Sequence, residues 1–264
     1  MLEQLTAYYR AHGIAAESFA CPFAADCSRG AVDFVEAREP FVGTDYEKGT
    51  LPRLLFISLD PANAVVGRSA KERTVSAVRE WEAGQLRPES GHPLFQKQSH
   101  WYRTYQLAQR LLSPVAAVRG MGPLPFSEMS RYFAHTNSAK CKNVAGGTGQ
   151  GPERLFKNCR GFLPGEVEVL IPDIIVAQGK PARLALAGAF KVLLSGAAPD
   201  PLYRAEVVEL GSRPVLKFET HHPNRKDNSF RLEAANGWPW YSEVASVFAA
   251  GGPEALAAQL GFCD

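Results

Sequence analysis

The chain lacks any apolar run near the ~18–20 residues that a membrane-spanning helix needs. Its best stretch, residues 182–198, is broken by Arg183 and Lys191, so no membrane partner is expected. The start, Met1-Leu2-Glu3-Gln4, lacks the basic-then-apolar layout of a secretory signal. A cytoplasmic, reducing location is the expectation. Charge of one sign is also lacking: 29 Lys and Arg face 27 Asp and Glu, a net +2. Such a balance neither announces nor excludes a polyanionic partner, and any polyanion site must be a local patch. Gly and Pro together make about 16% of the residues, below the ~25–30% of low-complexity chains. No repeat, Gly-x-Ser-x-Gly elbow or phosphate-binding Walker loop is present. Gly146-Gly147-Thr148-Gly149 is glycine-rich but lacks the Gly-Lys-Ser/Thr ending.

What remains is a 264-residue chain with 45% hydrophobic residues, enough to bury a core without disulfides. A single domain over 1–264 is expected. Unbroken apolar runs at 54–58 and 174–177 suit strands buried on both faces, as in a parallel sheet. Residues 131–137 and 214–220 are two further strand candidates. Helical spacing marks 2–12, 102–112, 182–194, 241–249 and 253–260. Alternating strands and helices predict an α/β fold, a three-layer α/β/α sandwich around a mainly parallel four-stranded sheet. Asp60, Asn137, Gln178 and His222 each stand where a strand ends. Ligands of open parallel sheets bind outside the carboxyl ends of the strands, so these four polar groups aim at one candidate site.

Five cysteines are present: Cys21, Cys27, Cys141, Cys159 and Cys263. The first four form two separated pairs that can ligate zinc or an iron–sulfur cluster. Their spacing matches no simple zinc pattern, and buried free thiols, which pack as small hydrophobes, fit the composition equally well. Cys21-Pro22-Phe23-Ala24-Ala25-Asp26-Cys27 has poor helix and strand character, and a metal can fix such a segment.

Several stretches together resemble the uracil-DNA glycosylase superfamily, most closely its iron–sulfur branch. They are Thr136-Asn137-Ser138-Ala139-Lys140-Cys141, Cys159-Arg160-Gly161-Phe162-Leu163 and Ile174-Ile175-Val176-Ala177-Gln178-Gly179-Lys180-Pro181-Ala182. Ser58-Leu59-Asp60-Pro61-Ala62 stands where the family has its first motif. Thr220-His221-His222-Pro223-Asn224 stands where it has the second, typically His-Pro-Ser. The likeness covers most of 21–247 and rests on the order and spacing of the motifs. The departures are Leu59 for a polar residue, Ala62 for the bulky residue that screens thymine, Asn224 for Ser, and a wider first cysteine pair. The Arg-Pro-Pro that often follows the third cysteine is replaced by Lys142-Asn143-Val144.

The resemblance implies a DNA repair glycosylase that flips uracil or another deaminated base from DNA and hydrolyses its N-glycosidic bond. It implies a 4Fe–4S cluster on Cys21, Cys27, Cys141 and Cys159. Asp60 would supply the anion near the sugar and orient water; by its residues alone Asp60-Pro61 equally fits a turn. His222 would donate to the departing base O2, His221 being the neighbouring alternative. Asn137 would read the base edge, Phe95 would stack on the base, and Ala62 would border it. Asn224, Arg225, Lys226 and Arg231 would form the DNA-facing patch, with Phe230 as a wedge between bases. A core Phe and a solvated charge run are the plainer readings of Phe95 and of the patch. A monomer is expected. Two other readings stay open: a catalytically silent iron–sulfur nucleic-acid-binding relative of the same fold, and an unrelated Asp/His hydrolase.

Overall fold

The computed structural model describes residues 1–61, 69–85, 99–144, 151–198, 200, 203–224 and 228–263. In chain order the elements are α1 (Leu2–Ala11), α2 (Ala24–Ser28), β1 (Asp33–Val35), β2 (Phe41–Val42), β3 (Leu54–Ser58) and α3 (Val75–Gln85). Then come α4 (His100–Val118), β4 (Phe133–Asn137), β5 (Lys142–Val144), α5 (Glu153–Cys159), α6 (Leu163–Leu170), β6 (Ile174–Gln178) and α7 (Lys180–Leu186). The chain closes with β7 (Lys191–Ala197), β8 (Arg204–Leu210), β9 (Arg213–Thr220), α8 (Ser229–Leu232) and α9 (Trp238–Leu260). Among the described residues no helix is long and apolar enough to cross a membrane.

The fold is α/β. The main sheet is mixed, in the order β2-β4-β3-β6-β9-β8-β7. The four expected strands, β3, β4, β6 and β9, lie side by side and parallel in its middle. The expected strand number is corrected from four to seven, because antiparallel strands extend the sheet on both sides. Residues 191–194, expected to be the end of a helix, begin strand β7 instead. Helix α7 stops at Leu186, and the chain pairs with β8. β8 and β9 are joined by Gly211-Ser212, since Leu210 pairs with Arg213. Gly211 supplies the left-handed backbone (φ +60°) that so tight a hairpin turn requires.

Side chains alternate across the central strands, as period two demands. Leu54, Phe56, Ile174, Val176, Leu216 and Phe218 share one core with residues of α4 and α9. Leu55, Ile57, Ile175, Ala177 and Val215 share the other with residues of α1, α5, α6 and α7. Both faces of β3 and β6 are thereby dry, which explains their unbroken apolar sequences. With the sides closed, the exits of β3, β4, β6 and β9 carry the polar groups.

Candidate active site and cysteine pole

Register places those exits together. Ser58 lies opposite Asn137, and Gln178 opposite Thr220. Ser58 donates to Gln178 Oε1 at 2.6 Å, and Gln178 Nε2 in turn reaches Thr104 Oγ1 at 3.3 Å. Having given its proton away, Ser58 Oγ is an acceptor toward His135 Nε2, 2.9 Å away. His100, in the first turn of α4, brings its Nε2 within 3.3 Å of both Ser58 Oγ and His135 Nε2. Its ring lies 5.0 Å from that of His222, tilted by 30°. Three imidazoles from α4, β4 and the exit of β9 thus meet at the rim.

Burial keeps these rings neutral. It pushes His135 down to about 3 and His222 down to about 4, and it holds His100 well below the usual imidazole range. Neighbouring charge adds to the effect at His100, from His222 and His135, and at His135, from Arg38, His222 and Lys140. The His222 tautomer follows from one bond. The Asn224 backbone N–H points at His222 Nδ1, 3.2 Å away, so Nδ1 accepts and Nε2 carries the proton.

Asp60 leaves β3 two residues past its end, and its side chain is only 4% exposed. Its Oδ2 accepts from Lys142 Nζ at 2.6 Å and from the Gly151 N–H at 3.2 Å. Burial raises its carboxyl above the usual range, against the opposing pull of Lys142 and Gly151. Gly179 joins the exits of β3 and β9. A Cβ there would come 3.0 Å from His222 Cβ and 3.5 Å from Leu59 Cδ2, and its φ of +90° is one that L residues rarely adopt. Asn137 is buried, and its carbonyl accepts from Lys140 Nζ at 2.9 Å. That ammonium, itself fully buried, also bonds Thr136 Oγ1 and pairs with Glu166, which accepts from Tyr9. The end of β4 is therefore held from beneath by a satisfied ionic network.

Of the expected site residues, Asp60, Asn137 and His222 each stand at or just past the end of a parallel strand of the main sheet. Asn224 and Arg231 are exposed beyond it. Ala62, Phe95, Arg225 and Lys226 lie outside the described residues. Phe230 is corrected: it is 6% exposed, packed in the core beside Trp238, with the Arg103 guanidinium over its ring at 4.5 Å. A side chain so covered is no wedge. His100, His135 and Lys142 went unassigned in the sequence. The sequence gives them little local signal: His100 opens a helix and His135 sits within a strand.

The cysteines gather elsewhere. Cys27, Cys141 and Cys159 are buried and Cys21 is half-buried, all as free thiols, whereas Cys263 is exposed. Helix α2 is pinned to α5 by Arg154 Nε donating to Asp26 O at 2.9 Å and by Asn158 donating to Asp26 Oδ2 at 2.9 Å. Asn143 on β5 donates to the Cys27 carbonyl. Cys159 Sγ accepts from the Lys140 N–H, and Cys27 Sγ from Asn158, each at 3.4 Å. Burial raises all four thiols, and every pair among them feels its partner's charge. Cys141 is pushed well above the usual range, first by burial, then by Cys159, Cys21 and Cys27. Among the described residues no three His, Cys, Asp or Glu side chains stand in position to hold a single metal ion. Four cysteine thiols are a donor set that an iron–sulfur cluster can use.

Comparison with known protein families and with curated proteins finds no match to this chain.

Proposed function

We propose that this protein is a DNA glycosylase that removes uracil or another deaminated base. One observation carries the reading. A buried carboxylate and a half-buried neutral imidazole with an Nε2 proton flank the exits of parallel strands, in the chain order that the resemblance implies. In this reading the layers of helix on both faces are the three-layer sandwich of that superfamily.

Breaking the bond between C1′ and N1 leaves positive charge on the sugar and negative charge on the base. Asp60 meets the first demand: its ionised carboxylate stabilises the sugar cation and orients the attacking water. Lys142 favours that ionised form against the cost of burial. His222 meets the second, donating from Nε2 to the base O2 as charge develops there. A neutral donor suffices, because the task is hydrogen bonding to a growing anion. Asn137, whose backbone carbonyl Lys140 holds, would present its side-chain amide to the base edge. Extruding the base costs a few kcal/mol, recovered by the pocket and by phosphate contacts from Asn224, Arg231 and their neighbours Arg225 and Lys226.

Cys21, Cys27, Cys141 and Cys159 would hold a 4Fe–4S cluster. When bound, the cluster supplies positive charge that stabilises four buried thiolates and ties α2 to α5 and to the turn after β4. The chemistry at the rim passes through none of these sulfurs. The partner is DNA carrying a deaminated base. The test is base release from DNA containing uracil, hypoxanthine or xanthine, read as alkali-labile strand cleavage. Release that Asp60→Asn abolishes supports the reading. DNA binding without release favours the silent relative instead.

A further inference from the structure

We propose that His100 is a positioning residue, the rigid face against which the His222 ring is held for its work at the rim. The inference rests on the function proposed above for His222. His100 stands one residue after Ser99, which caps α4 by accepting from the Tyr102 N–H at 3.2 Å. The 19-residue helix α4 thus fixes its backbone. Its Nε2 is fixed by Ser58 and His135, 3.3 Å away each, and Trp101 packs edge-on at 5.7 Å. Ser58 and His135 are themselves buried on the adjacent parallel strands β3 and β4. His100 is therefore anchored to the sheet and the helix at once, and its ring lies beside that of His222 at 5.0 Å.

His222 needs such a support because its own anchors are few. It follows β9 in a turn, held by the Asn224 N–H at Nδ1, with the Gly179 backbone so near that a Cβ there would come 3.0 Å from His222 Cβ. The Asn224 bond sets the tautomer and fixes one edge of the ring, but it is the one hydrogen bond of that ring among the described residues. A flat, immobile ring on one side adds a second restraint, and a misplacement of ~1 Å at a reacting group can cost about 10²-fold in rate. The same arrangement makes His100 a poor proton carrier. Its Nε2 faces another imidazole nitrogen, and His135 Nδ1 is buried without a partner among the described residues. Its role is to hold.

The test compares wild type, His100→Ala and His100→Phe by two readouts. The first needs no activity: ¹⁵N and ¹H NMR of the His222 ring across pH, after circular dichroism shows each variant folded. His100→Ala should move the His222 titration upward by a unit or more and broaden its signals, and His100→Phe, which keeps a flat ring, should leave both near wild type. The second is single-turnover base release in a double-mutant cycle with His222→Ala. His100→Ala alone should slow release about tenfold with substrate affinity little changed, and should cost nothing more when His222 is already absent. An unmoved His222 titration in His100→Ala, a His100→Phe variant as impaired as the alanine, or additive effects in the cycle would each overturn the proposal. If wild type releases no base, the glycosylase reading fails, and the NMR arm still decides whether His100 holds His222.

Discussion

The imidazole rim and the cysteine pole bury titratable groups in opposite senses. At the rim burial lowers the imidazoles, and at the pole it raises the thiols. In both places the fold favours the neutral form. For the rim that is an end in itself, because a neutral imidazole with its proton on Nε2 is the donor the proposed reaction uses. At the pole neutral thiols ligate nothing, and on the proposed reading a bound cluster would supply the positive charge that makes them ligands.

The sharpest way to break this contrast is at the rim. Asp60→Asn and His222→Ala should each slow base release by about 10²–10³-fold with DNA affinity nearly unchanged, measured by single-turnover assay and filter binding. Near-wild-type rates in both would move the active site elsewhere. At the pole, Cys141→Ser should remove visible absorbance near ~400 nm and lower the melting temperature by about 10 °C, whereas Cys263→Ser should do neither. Colour retained in Cys141→Ser would show that the four cysteines do not act as a set.

How much of this was legible in the sequence differs between the two regions. The parallel strands announced themselves, because a strand dry on both faces is an unbroken apolar run, as at Leu54-Leu55-Phe56-Ile57. The rim residues that end these strands were legible for the same reason. β7 and β8 were not, since an antiparallel strand with one wetter face alternates, and Lys191-Val192-Leu193-Leu194 follows an Ala-Leu-rich stretch and reads as its helical continuation. Their one local signal was Gly211-Ser212 between two alternating stretches. His100 and His135 were hidden because their meeting is tertiary: one opens a helix, the other sits mid-strand, and only the register of β3 on β4 brings them to Ser58.

A smaller effect sharpens the contrast through pH. An imidazole lowered by folding is neutral in the native state but takes a proton near 6.5 once unfolded. Its contribution to stability is therefore full above 6.5 and is lost as pH falls toward about 4 for His222 and about 3 for His135. Glu233, raised to about 7 by burial, acts the other way and loses its contribution as pH rises from about 4.5 to 7. Urea unfolding of His135→Phe should show an acid slope shallower by one proton, about 1.4 kcal/mol per pH unit below 6.5. An unchanged slope would mean that His135 is not held neutral. Smallest of all, Arg231→Ala should lower the salt dependence of DNA binding by about one unit of slope, read by titration at several salt concentrations. No change would place Arg231 off the DNA.

The most direct measurement is base release by cluster-loaded wild type, set beside Asp60→Asn, on DNAs carrying uracil, hypoxanthine or xanthine. Free base and an alkali-labile site from wild type, with neither from the variant, is the expected result. No release from any of the three DNAs by loaded protein, or equal release by both proteins, would contradict the assignment of this rim as a glycosylase site.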